Sequence, residues 1–84
     1  MLMTRKKNGT GSLMRISQAA HAAGVSTQTV EYYLMLGLVA PLRRKDSKSR
    51  FFSRALVRRI ALIHRLNESG YTLRDIRETY LRRR

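Results

Sequence analysis

Two helix-stopping glycines, Gly24 and Gly37, cut the first half of this chain into pieces too short for anything but small helices set at close quarters. The first piece, 18–23, is rich in alanine, with Ser17 as its expected N-cap and Gly24 where the helix must stop and turn. Ser26 follows at once as the next N-cap, opening a helix of about ten residues to Leu36. Gly37 closes that helix, and Pro41 prevents its resumption. Two helices joined by so short a turn nearly touch. Such a pair needs a small residue at the crossing, which Ala20 supplies, and a residue tolerant of positive φ at the turn, which Gly24 supplies. Ala19, Ala23, Val25, Val30 and Tyr33 fall at the apolar offsets that hold the angle between the helices.

The rest of the chain completes a mainly α architecture. The stretch 42–52 places turn-forming residues between two brief strand-prone segments and reads as a β-hairpin with a basic tip. Ser53 caps a longer helix to about Ser69, in which Leu56, Ile60 and Ile63 recur at helical spacing with Val57, Leu62 and Leu66. Gly70 closes it. Thr72 caps a last helix with Asp75 three residues on, and Leu73, Ile76 and Tyr80 form its apolar stripe. Residues 1–13 are polar, basic and without periodicity, the composition of a disordered arm, leaving 14–84 as the folded domain. Two short helices, a hairpin wing and two further helices make a winged helix-turn-helix.

Charge narrows the partner. Across 84 residues, 18 Lys and Arg stand against 5 Asp and Glu, a formal net charge of +13. A chain so charged repels itself unless a polyanion neutralises it, and nucleic acid does so with release of counterions. Ribosomal proximity or an acidic protein partner would also suit the charge. The sequence has no cysteine, which excludes disulfides and thiolate metal sites. His21 and His64 stand isolated, so neither a metal nor a cofactor is expected. No grouping of Ser, His and Asp forms a catalytic triad, and Gly9-Thr10-Gly11 lacks the strand and the Gly-Lys-Ser of a phosphate loop. The expectation is a cytoplasmic binding protein and not an enzyme.

The second short helix is the natural reading element. Val30, Tyr33 and Leu34 share its inner face, which turns Thr27, Gln28, Glu31, Tyr32 and Met35 outward. The Gln28 amide has the geometry to pair with adenine through two bonds. Thr27 and Thr29 suit a phosphate or a thymine methyl, and the Tyr32 hydroxyl suits a phosphate. The alternative for each is an ordinary solvated helix face.

Residues 14–81 resemble the DNA-binding domain of MerR-family transcription regulators. The resemblance runs through Arg15-Ile16-Ser17, Ala19-Ala20, Ala23-Gly24-Val25-Ser26, Thr29-Val30-Glu31-Tyr32-Tyr33, Gly37-Leu38-Val39 and Pro41. It continues through Arg50-Phe51-Phe52, Ile63, Gly70-Tyr71-Thr72-Leu73 and Ile76. It implies double-stranded DNA as partner, the second helix in the major groove, and the tyrosine pair Tyr32 and Tyr33 near the backbone. It also implies wing residues Arg43, Arg44, Lys45, Lys48 and Arg50 on flanking phosphates or in the minor groove. Arg15 and Ser26 complete the expected contact set.

Three departures from that family pattern stand out. Phe52 replaces the usual tyrosine of the wing motif, which removes one hydroxyl contact. Glu31 occupies the position before the tyrosine pair where the family usually has a DNA-contacting arginine. Its carboxylate would be repelled by phosphate, accept a bond from cytosine N4, or pair with Arg15 or a wing arginine, and the sequence leaves these open. The family's long coiled-coil helix and effector domain are not represented, so a small-molecule effector is not expected. The oligomeric state stays open between a monomer and a weak homodimer on DNA. Sequence-specific transcriptional regulation is the leading function. An excisionase-like architectural protein and a protein-interaction module of the same fold are the alternatives, with Glu31 favouring the last and the basic wing opposing it.

Overall fold

The computed structural model describes residues 13–45 and 48–81. Helix α1 (Ile16–Ala23) starts earlier than expected, because the N-cap is Arg15 and not Ser17. The backbone N–H of Arg15 donates to the Gln18 side-chain oxygen at 3.3 Å, so the glutamine three residues on satisfies a donor that the helix itself leaves orphaned. Starting there also brings Ile16 into the helix, where it packs against the core.

The turn after α1 is built by its glycine. Gly24 sits at φ +77°, a conformation that L side chains rarely adopt. Its N–H donates to the His21 carbonyl at 3.1 Å, and the Val25 N–H donates to the Ala20 carbonyl at 3.0 Å. This paired closure satisfies the last carbonyls of the helix and turns the chain sharply. The same pattern ends α2 (Thr27–Met35), where Gly37 N–H donates to Leu34 and Leu38 N–H to Tyr33. It recurs after α3 (Arg54–Glu68), with Gly70 N–H to Asn67 and Tyr71 N–H to Leu66. One local device therefore sets all three helix exits.

Hydroxyl caps set three of the entries. Ser26 Oγ accepts from Thr29 N–H at 3.1 Å, Ser53 Oγ from Leu56 N–H at 3.2 Å, and Thr72 Oγ1 from Asp75 N–H at 3.0 Å. The last of these opens α4 (Leu73–Ile76), which passes into a π-helical turn over Arg77–Leu81 instead of continuing as one α-helix. Ile76 is buried and Leu73 packs on the core as the apolar stripe requires. The Tyr80 side chain, the arm over 1–12 and the hairpin-tip residues Asp46 and Ser47 lie outside the described residues. Leu13, assigned with the arm from sequence, is half-buried.

Strands β1 (Leu42–Arg43) and β2 (Arg50–Phe51) pair antiparallel, with Leu42 opposite Phe51 and Arg43 opposite Arg50. Next to them Phe52 and Met14 exchange both backbone bonds, at 2.7 and 2.8 Å. That bridge anchors the hairpin to the start of the domain. Phe52 is fully buried, so its ring is a core residue of the domain. It joins Ala19, Ala20, Val30, Tyr33, Leu38, Val39, Ile60, Ile63 and Ile76 in one apolar cluster that draws on α1, α2, the hairpin, α3 and α4. Ala19 and Ala20 have the small side chains that let α1 meet α2 and α3 closely.

Candidate nucleic-acid interface

Helix α2 presents two faces, as its pattern requires. Val30 and Tyr33 are buried, whereas Thr27, Gln28, Glu31, Tyr32 and Met35 are exposed, Met35 to 78%. An apolar side chain left that open on a helix beside a basic hairpin marks a surface not consumed by the fold. Tyr33, expected beside Tyr32 near a DNA backbone, is instead only 3% exposed and belongs to the core. Burial pushes its phenol above the ordinary tyrosine range, and the charge of Glu68 adds to that shift. The tyrosine pair is thus divided, Tyr32 outward and Tyr33 inward.

At the start of α2, Ser26 is engaged as the N-cap and its hydroxyl also meets Thr29 Oγ1 at 3.0 Å. Thr27 and Gln28 are the open positions of the first turn. That turn carries no acidic residue to offset the positive end of the helix dipole.

Glu31 is paired with the wing. Arg50 Nη1 donates to Glu31 Oε1 at 3.1 Å and Arg50 Nη2 to Oε2 at 2.9 Å, a fork gripping both carboxylate oxygens. Hydrogen bonding from Arg50, with its charge in support, holds the Glu31 carboxyl below the usual glutamate range. Of the two local partners left open by sequence, Glu31 pairs with a wing arginine, Arg50, and not with Arg15.

Arg15 lies elsewhere. Its guanidinium sits over the Phe51 ring, 5.2 Å from the centroid, and that of Arg44 sits over the same ring at 5.8 Å. Both distances fall within cation–π range. One aromatic side chain of β2 thereby gathers a cation from the start of α1 and another from the wing. Arg43 Nη1 donates to the Lys48 carbonyl at 3.1 Å, a brace between β1 and the residues leading into β2. Arg44, Lys45 and Lys48 are exposed. The Phe51 platform and the Arg43 brace were not expected from sequence. Each joins residues whose proximity depends on the hairpin register, and no local pattern announces it.

His64 Nε2 lies 3.6 Å from Glu68 Oε2 one turn along α3. Among the described residues no group of three or more His, Asp or Glu is placed to hold a metal ion. No described helix is long and apolar enough to cross a membrane.

Residues 14–82 match the model of the MerR HTH family of regulatory proteins. The chain belongs to the MerR family. Among curated MerR-like relatives it is 36% identical over 66 residues to YyaN of Bacillus subtilis, an uncharacterised HTH-type transcriptional regulator, covering 79% of this chain and 48% of that one. It is 37% identical over 62 residues to the mercuric resistance operon regulatory protein of Bacillus cereus, covering 74% and 47%. Two crystal structures align with a TM-score of 0.71 each. One is a transcription regulator from Ralstonia metallidurans in complex with lead(II), at 29% identity over 77% of this chain and 51% of that one. The other is HiNmlR, a MerR family regulator lacking the sensor domain and bound to promoter DNA, at 26% identity over 79% of this chain and 50% of that one. The chain thus spans about half the length of these relatives. What matches is the winged helix-turn-helix of MerR regulators, and the family is one of transcriptional regulators.

Proposed function

We propose that this MerR-type domain binds double-stranded DNA sequence-specifically in transcription control, with α2 in the major groove and the wing on flanking phosphates. The observation that carries the reading is the open α2 face beside a basic hairpin. Thr27, Gln28 and Tyr32 are exposed, Glu31 on the same face meets Arg50 of the hairpin, Arg15 and Arg44 lie over the Phe51 ring, and Lys45 and Lys48 are exposed in the wing. Thr27 and Gln28 supply base-edge or phosphate contacts from the first turn, Tyr32 a phosphate contact, and the wing cations register and affinity. A net charge of +13 supports phosphate neutralisation as the source of affinity. Glu31 had favoured a protein partner over DNA. Its neutralisation by Arg50 removes most of the repulsion on which that alternative rested.

The test is duplex binding across a salt series, followed by selection from random DNA. Binding to any duplex should weaken steeply with salt, and selection should return a motif that changes in Gln28→Ala. Absent or salt-insensitive binding would overturn the reading.

A further inference from the structure

We infer that Glu31 is a specificity-determining residue: braced by Arg50, its carboxylate accepts the exocyclic amino group of a cytosine in the major groove. The inference rests on the DNA-binding reading above and names a base for one position of α2. Three observations carry it.

The first is place. Glu31 lies one turn beyond Gln28 on the exposed face of α2, and its side chain keeps half its accessible surface. Three residues of helix advance about 4.5 Å, close to one base-pair step, so the two side chains address neighbouring pairs.

The second is charge. An unpaired carboxylate would be driven from a groove walled by phosphates. The Arg50 fork compensates its charge at 2.9 and 3.1 Å, so the pair enters the groove with no net charge of its own.

The third is acceptor capacity. An ionised carboxylate offers about four lone-pair sites, and a bidentate guanidinium occupies one on each oxygen. The remaining sites have only acceptor character. In the major groove, donors come from cytosine N4 and adenine N6, but adenine sets its N6 beside the N7 acceptor, which repels a carboxylate. Cytosine is the base that offers a donor with no acceptor on the same base edge. The brace also restricts the glutamate rotamer, so less freedom is lost on contact.

The experiment begins with selection from random duplexes by the wild-type chain, which should return a cytosine next to the position that Gln28→Ala disturbs. That cytosine is then replaced by 2-pyrimidinone deoxynucleoside, which lacks only the N4 amino group. Wild-type affinity should fall about tenfold on the modified duplex, a typical cost for one lost base contact. Glu31→Ala should bind both duplexes equally, and Glu31→Gln should shift the preferred base from cytosine toward adenine. The cytosine should also disappear from the motif that Glu31→Ala selects. A purely structural strap gives the opposite pattern, with Glu31→Ala weakening all sequences alike and leaving the motif intact, and that result overturns the inference. Salt-dependent binding with no cytosine preference also overturns it while sparing the DNA-binding reading. Absence of DNA binding by the wild type overturns both.

Discussion

Arg50 grips Glu31 through both carboxylate oxygens, joining the second strand of the wing to the exposed face of α2 across 19 positions of sequence. The wing is small. Its strands have two residues each, and beyond its own pairing it is anchored by the Met14–Phe52 bridge at its base. A planar fork fixes direction as well as distance, so the pair sets how the hairpin leans toward α2. Both side chains keep solvent contact, 33% for Arg50 and 50% for Glu31. Pairs so exposed are screened by salt and add little to stability. What this one adds is direction, for the hairpin and for the Glu31 carboxylate alike.

The pair has a titration signature. Arg50 holds Glu31 ionised below the usual glutamate range, first by hydrogen bonding and then by charge. Its contribution is therefore complete above the pKa of an unfolded glutamate and is lost as pH falls through the lower folded value. A carboxyl NMR titration should place the Glu31 midpoint below that of an unpaired glutamate, and Arg50→Gln should move it back up. A midpoint unmoved by Arg50→Gln would mean that the pair does not persist in solution.

Gly24 allows backbone strain to be separated from crowding. At φ +77° it has nothing within 4 Å of where a Cβ would stand. Any cost of Gly24→Ala is then conformational, about 1–2 kcal/mol for an L residue held in the left-handed region. Urea denaturation should show that loss, and Gly24→Asn, which tolerates the conformation better, should recover part of it. Equal stability of wild type and Gly24→Ala would place the turn in another conformation.

These residues also show what the sequence made legible. The exits at Gly24 and Gly37, the Ser26, Ser53 and Thr72 caps, and the two faces of α2 depend on residues within a few positions of one another, so local chemistry sufficed. Ser17 misled because it has the better capping side chain, while burial of Ile16 and the reach of Gln18 favour an earlier start. The π-helical turn after Ile76 was not legible, since residue preferences do not separate it from an α-helix continued over the same residues. Tyr33 was assigned to DNA by resemblance although its own period placed it inward, and the period was the better guide. Glu31 with Arg50, and Phe51 with its two arginines, are tertiary pairings. Their members were visible as candidates and their partners were not.

Tyr33 should report on the core at alkaline pH. Burial, with help from the Glu68 charge, raises its phenol pKa above the ordinary value of 10.0. The neutral form is favoured in the fold, so this contribution is complete below the unfolded tyrosine pKa and is lost as pH rises through the folded one. Ultraviolet titration should show a tyrosine ionising above the ordinary range, absent in Tyr33→Phe. The alkaline fall in melting temperature should also be smaller in that variant. Loss of amplitude in Tyr33→Phe only within the ordinary tyrosine range would rule out a buried Tyr33 phenol.

The wing cations differ in the contacts they make among the described residues, and DNA binding should reveal the difference. Lys45 is exposed near the tip, whereas Arg43 is exposed but donates to the Lys48 carbonyl. If both neutralise phosphate, either alanine variant should lower the slope of log affinity against log salt by about 0.9. For Lys45→Ala that should be nearly the whole effect, because its exposed side chain shows no hydrogen bond or ion pair among the described residues. Extrapolated to 1 M salt, where counterion release no longer contributes, its affinity should match wild type. Arg43→Ala also removes the hydrogen bond that holds the Lys48 carbonyl. The Lys48 backbone must then be positioned on binding, at a cost of about 1–2 kcal/mol for each backbone residue newly fixed. Its affinity should therefore remain below wild type at 1 M salt, with base preference unchanged in both variants. Anisotropy titrations over a salt series measure slope and intercept together, and coincident lines for the two variants would show that the Arg43–Lys48 contact does not organise the wing for DNA.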